Sequence, residues 1–285
     1  MSTALTRSET NATWRVLRHF AAGRSNTMNG RKAIISDTHG NIDALLAVLA
    51  DIDAQGITDI IDLGDKVGYG GAPEECVDEV QRACSVALLG NHDKAVADQS
   101  YLSSAGFNPV AYRSALWTRT MLERNPSADR LGYLRGLQPS HKANGDVSYC
   151  HGSPYRAIDQ YLFPYTIYDD LVMSLSFAEV GRVCYCGHTH IPGIFTDTGG
   201  QFAFLEQHQI PADGYELTGA DKWIVNVGSV GQPRDGNPDA CYVITDDVRI
   251  IYRRVPYDIN AAIARIEQYH PDLDAFNGIR LLTGE

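Results

Sequence analysis

From Arg31 onward the chain alternates short apolar runs with longer amphipathic ones, and this rhythm constrains the fold more than any other feature. "KAIIS" (32–36), "DIIDLG" (59–64) and "SVALLG" (85–90) are too short for helices and read as buried strands. Between them, "NIDALLAVLADIDAQG" places Ile42, Leu45, Leu49 and Ile52 at helical spacing with Gly56 as a stop, and "PEECVDEVQRA" (73–83) opens on Pro73. Strand, helix and strand in turn predict βαβ units and a parallel sheet. The stretch from about 93 to 140 reads as helices punctuated by Pro109, Pro126 and Pro139. "DVSYCHG" returns to strand, 166–180 to helix and "RVCYCG" to strand. After 190 the segments 193–197, 201–206, 223–228, 239–245 and 248–254, split by Gly, Pro and Asp, predict an antiparallel stretch closed by a helix at 257–270.

Polar residues gather where the apolar runs end. "ISDTHGN" carries Asp37 and His39, "DLGDKVG" carries Asp65, "LLGNHD" carries Asn91, His92 and Asp93, "YCHGS" carries His151, and "YCGHTH" carries His188 and His190. Parallel strands of one sheet bring their C-termini to one edge, so these residues are expected to converge. "CYCGHTH" (184–190) raises the separate question of a small closed zinc site. Cys184-x-Cys186 and His188-x-His190 are spaced too closely for the ligand pairs that wrap a structural tetrahedron. The two cysteines, at i and i+2 of a strand, therefore read as core, and the histidines as part of a distributed site.

That site offers carboxylates, an amide oxygen and imidazoles but no thiolate, a set suited to Mn²⁺, with Fe²⁺, Zn²⁺ or Ni²⁺ as alternatives. Asp37, His39, Asp65, Asn91, His151, His188 and His190 are too many for one ion. Two divalent ions sharing Asp65 use them all.

Composition narrows the class. A chain of 285 residues, 44% hydrophobic, can bury a sizeable core. Residues 31–285 read as a single domain, and 1–30, rich in Ser, Thr, Asn and Arg, as a poorly ordered N-terminal extension. A transit-like leader and a natural start at Met28 are the other readings of that segment. There is no run of about 18 apolar residues and hence no membrane span. Six scattered cysteines fit a reduced, cytoplasmic protein. The net charge of −11 argues against gripping duplex nucleic acid.

In order and spacing, "DTHGN", "GDKVGYG", "GNHD", "CHGSP" and "CGHTH" resemble the five motifs of the calcineurin-like metallophosphoesterase superfamily. "NVGSVGQPRDG" (226–236) and the closing segment resemble a compact prokaryotic branch of it. The resemblance implies an α/β fold, a two-sheet αββα sandwich with a dinuclear metal site at the strand C-terminal ends. It implies one ion held by Asp37, His39, Asp65 and His190, and the other by Asp65, Asn91, His151 and His188. It makes His92 a substrate-facing acid rather than a ligand, and Asp93 the support that accepts from its ring. The implied reaction is hydrolysis of a phosphate ester by a metal-bridging hydroxide, with His92 protonating the departing oxygen or stabilising its charge.

The sequence also departs from the family. Its protein and dinucleotide polyphosphate phosphatases carry an arginine shortly after the second motif, where this chain has "GDKVGYGG" with Tyr69. A diester, with one charge fewer than a monoester, then becomes a plausible substrate. Arg234 and Arg156 are candidates to take over phosphate contact, with Asn91 beside them. Protein Ser/Thr or dinucleotide polyphosphate phosphatase activity stays open, as does a metal-bound scaffold, although the chain keeps every ligand. The expected partner is a phosphorylated small molecule or phosphoprotein.

Overall fold

Strand β1 (Lys32–Ile35) shows why the apolar runs carry no polar alternation: both of its faces are buried. Ala33 and Ile35 face one hydrophobic cluster and Ile34 another. The computed structural model describes residues 30–219, 221–269 and 274–285, so the expectation of a poorly ordered 1–30 falls almost wholly outside the described residues.

The strands β2 (Asp59–Asp62) and β3 (Val86–Ala87) continue parallel to β1, while β11 (Ala240–Thr245), β12 (Arg249–Val255) and β9 (Tyr215–Glu216) extend the sheet on its other side by antiparallel pairing. A second six-stranded sheet orders β4 (Ser140–Lys142), β5 (Val147–Cys150), β6 (Val183–Cys186), β10 (Lys222–Asn226), β7 (Gly193–Thr198) and β8 (Gln201–Glu206). The single parallel sheet expected from the alternation is therefore corrected to two mixed sheets, each built on a parallel trio: β1–β3 and β5–β6–β10. Likewise β10, read as part of an antiparallel stretch, pairs parallel with β6 through Trp223↔Val183 and antiparallel with β7.

The sheets face each other across Ile34, Ile61, Tyr149, Tyr185, Trp223, Val225 and Val243. Helices cover the outer faces. Against the first sheet lies α1 (Ile42–Ala54), capped by the Asn41 side chain accepting from the Ala44 N–H at 3.1 Å, together with α2 (Pro73–Ala83). Against the second lies α7 (Asp170–Ala178), packing Met173 and Phe177 on Cys150, Cys184, Cys186 and Phe195. The two motif cysteines are thus core residues, and all six cysteines are free thiols. Four helices form a lobe beside the first sheet: α3 (Asn91–Ala97), α4 (Gln99–Ser104), α5 (Pro109–Glu123) and α6 (Arg130–Gly136). The chain ends in a hairpin of α8 (Ile259–Tyr269) and α9 (Asp274–Thr283), of which the sequence reading predicts only the first. No described helix is long and apolar enough to cross a membrane.

Candidate metal centre

The C-terminal ends of β1, β2, β3, β5 and β6 open onto one edge shared by both sheets, and the loops there are knitted backbone to backbone. Asp37 N–H donates to Gly64 O at 3.0 Å, His39 N–H to Asp65 O at 2.9 Å, and Gly187 N–H to His151 O at 2.9 Å. Among the described residues eight non-glycines have positive φ, and Asp37, His39, Asp65, Tyr69, His188 and His190 are six of them. L-residues visit that region at a cost of the order of 1–3 kcal/mol each, and such strain gathers where a site needs its side chains aimed.

Each carboxylate is split between two tasks. Asp65 Oδ1 accepts the His92 N–H at 2.8 Å, and Asp37 Oδ2 accepts the His188 N–H at 2.9 Å. These contacts require bare glycines. A Cβ at Gly90 would lie 2.0 Å from Asp65 Oδ1, and one at Gly187 would lie 2.4 Å from Asp37 Oδ2. The second oxygens turn inward. Asp65 Oδ2 lies 3.7 Å from His39 Nε2 and 3.3 Å from His151 Nε2, while Asp37 Oδ1 lies 3.2 Å from His190 Nε2.

The imidazoles show what this geometry asks for. His39 Nδ1 sits 3.1 Å from Val67 O and His190 Nδ1 sits 2.5 Å from Gln232 O. A carbonyl only accepts, so each Nδ1 carries the proton and each neutral ring presents a lone pair at Nε2. Those two Nε2 atoms face each other at 3.1 Å, and two lone pairs cannot hydrogen-bond to one another. Burial, with the Arg234 charge, pulls His190 down to about 4, and burial with its histidine neighbours takes His39 well below its usual range, so both rings stay neutral. His188 Nε2 and Asp37 Oδ1 are buried without hydrogen-bond partners. His151 differs: burial lowers it, but the Asp65 carboxylate more than offsets this and holds it up at about 9. Inward lone pairs and carboxylate oxygens of this kind fit divalent cations. Ligand atoms within 4.8 Å of one another form the sets Asp37, His39 and His190; Asp65, His151 and His188; and His39, Asp65 and His92. Asn91 Oδ1 joins the second set at 3.1 Å from His151 Nε2. All seven expected ligands are brought together.

His92 reaches the same space, but Asp93 does not support it as expected. Its carboxylate accepts the N–H groups of Asp65, Lys66 and Gly90 at 2.9–3.1 Å and the Lys66 ammonium at 3.0 Å, while His92 Nδ1 is buried without a partner. The reason is local: Asp93 is the third residue of α3, and its side chain folds back on the helix start, as in a capping box. Lys66, fully buried between Asp62 at 2.7 Å and Asp93, is a residue that the sequence reading passes over. Burial alone would lower its pKa, but the two carboxylates raise it and keep it charged.

The two candidate phosphate-binding arginines part company. Arg234 lies beside the centre, its guanidinium 6.0 Å from the Tyr69 ring, donating to Gln232 Oε1 at 2.6 Å with Nε buried and unpartnered. Its charge helps to lower His39, His92 and His190. Arg156 is exposed and lines a cleft of about 460 Å³ with Asn91, His92 and His188 on its floor. Tyr161, whose ring stacks on His188 at 3.6 Å, also borders it; the only trace in sequence is the alternation of aromatic residues in "YLFPY" (161–165).

The calcineurin-like phosphoesterase superfamily domain matches residues 31–248. The uncharacterised protein MJ0912 of Methanocaldococcus jannaschii is 35% identical over 255 residues, covering 88% of this chain and 97% of that protein. The crystal structure of a metallophosphoesterase from Sphaerobacter thermophilus superposes with a TM-score of 0.75 at 33% identity, covering 90% of this chain and 100% of that one. The hypothetical protein PH1004 of Pyrococcus horikoshii OT3 shares the fold, with a TM-score of 0.67 at 18% identity over 90% of this chain and 98% of that one. With five motifs in order and their side chains gathered at one sheet edge, the chain belongs to the calcineurin-like phosphoesterase superfamily and is a metal-dependent phosphoesterase.

Proposed function

We propose that the chain hydrolyses a phosphate ester, monoester or diester, at a dinuclear centre that takes Mn²⁺. The observation that carries this reading is the pair of facing lone pairs on His39 and His190, continued by Asp65 Oδ2 between His39 and His151. Asp37, His39, Asp65 and His190 would hold one cation, and Asp65, Asn91, His151 and His188 the other. When bound, two such ions supply a water activated near neutral pH and neutralise the phosphoryl oxygens. Asp65 sets the spacing by facing both histidine groups with one oxygen. His92, taken well below its usual pKa by burial and by Arg234, stays neutral and offers the departing oxygen an N–H. Arg234, next to Tyr69, supplies the positive charge that the segment after the second motif lacks, and its planar fork can meet two phosphate oxygens at once. That placement supports acceptance of monoester dianions alongside diesters.

The test is a hydrolysis assay with Mn²⁺ on a chromogenic phosphate monoester and the matching diester. Turnover should vanish with a chelator and return with Mn²⁺. Arg234→Lys should lower kcat/KM more for the monoester than for the diester. Turnover that survives full chelation, or no turnover of any phosphate ester tried, contradicts the reading.

A further inference from the structure

The cleft beside the centre has walls that a bare phosphate does not need. Its floor is Asn91, His92 and His188. One wall is the turn after α4, with Phe107 set edge-on to His92 at 5.1 Å and to Tyr101 at 6.4 Å. The other is the turn-rich segment after His151, which brings Arg156, Asp159 and Tyr161 to the lining. Tyr161 stacks on His188 at 3.6 Å and 20°, and Phe163 and Tyr165, outside the lining, continue the stack at 5.3 Å each. The two walls are tied together by the Tyr101 hydroxyl donating to Asp159. If Tyr161 served only to pack on His188, it would be buried, yet it is 43% exposed. Contiguous exposed apolar surface beside a reactive floor marks a place where something docks.

We infer that this cleft is a subsite for a planar aromatic leaving group, so that the substrates are phosphate esters of ring-bearing alcohols such as nucleosides. The inference rests on the phosphoesterase reading and adds the class of alcohol to it. With the phosphorus over the floor, the ester's leaving side enters the cleft between Phe107 and Tyr161. Every heteroaromatic base has a π-face that can meet Phe107 and the exposed edge of Tyr161 whatever its hydrogen-bonding edge. About 460 Å³ lies within the range of small-molecule sites and suits one nucleoside. Arg156 and Asn108 at the lining add polar atoms for a ring edge or a sugar. A nucleic-acid strand is disfavoured as occupant, because a chain of net charge −11 has little to offer a run of phosphates.

The experiment uses the full chain loaded with Mn²⁺ and compares kcat/KM for adenosine 5′-phosphate with that for glycerol 1-phosphate. The wild type should favour the nucleotide by about tenfold, the scale of one base–aromatic stack. Phe107→Leu and Tyr161→Leu, on opposite walls, should each bring the ratio close to one; using the ratio cancels any shift of His92 that slows both esters alike. A ratio left unchanged by both variants overturns the subsite while hydrolysis itself stands. If neither ester is turned over, monoester hydrolysis fails, and calorimetric binding of adenosine alone decides the subsite. Binding weakened about tenfold in both variants upholds it, and no adenosine binding to the wild type overturns it.

Discussion

Asp65 is the residue on which the centre turns, because its two oxygens answer to different parts of the fold. Oδ1 is fixed by the His92 N–H, which leaves Oδ2 facing His39 on one side and His151 on the other. The motif residues were legible as a set because each follows an apolar run. Their individual roles were less so. Asp93 lies next to His92 in sequence, but its carboxylate is spent on three backbone N–H groups and Lys66. His92 separates ligand from substrate-facing donor experimentally, since its ring also lies within 4.8 Å of ligand atoms on His39 and Asp65. We expect His92→Asn to keep its full metal content, read by elemental analysis, and to lose about 10²–10⁴-fold in kcat. A mutant that drops an ion would make His92 a ligand.

At the scale of elements, the loop after β2 is held to α3 by a buried ion-paired cluster. Lys66 carries no exposed surface and meets Asp62 at 2.7 Å, Asp93 at 3.0 Å and Leu88 O at 2.5 Å. Removing one member of a buried pair leaves uncompensated charge, at a cost of about 3–5 kcal/mol. Lys66→Met should lower the unfolding free energy by about that amount in urea titrations. A change under about 1 kcal/mol would show that the cluster does not anchor the loop. The strands β1, β2 and β6 and helices α1 and α2 were readable because burial on both faces leaves continuous apolar runs, and because Gly56 and Pro73 mark helix ends. The exposed β4 carries no apolar signal in "SHK", and α9 shows only a short one in "FNGIRLLTG" with a glycine inside it. Both were missed for that reason.

At the scale of the whole molecule, the centre exists only because two sheets meet. Asp37, His39, Asp65 and Asn91 come from the first sheet's edge, and His151, His188 and His190 from the second's. Local periodicity shows which residues end strands but not which sheet each strand joins, since that depends on long-range pairings such as Lys32↔Thr245 and Trp223↔Val183. Hence the alternation alone pointed to one parallel sheet, and only the order of all five motifs pointed to a sandwich. The same architecture makes metal content a property of the assembled fold. The most direct test is elemental analysis of active protein equilibrated with Mn²⁺ and then desalted, for the wild type and Asp65→Asn. About two ions per chain are expected in the wild type, with weakened retention of both in Asp65→Asn, because one carboxylate oxygen faces both ligand groups. One ion or none in active wild-type protein, or a variant that still holds both, would contradict this.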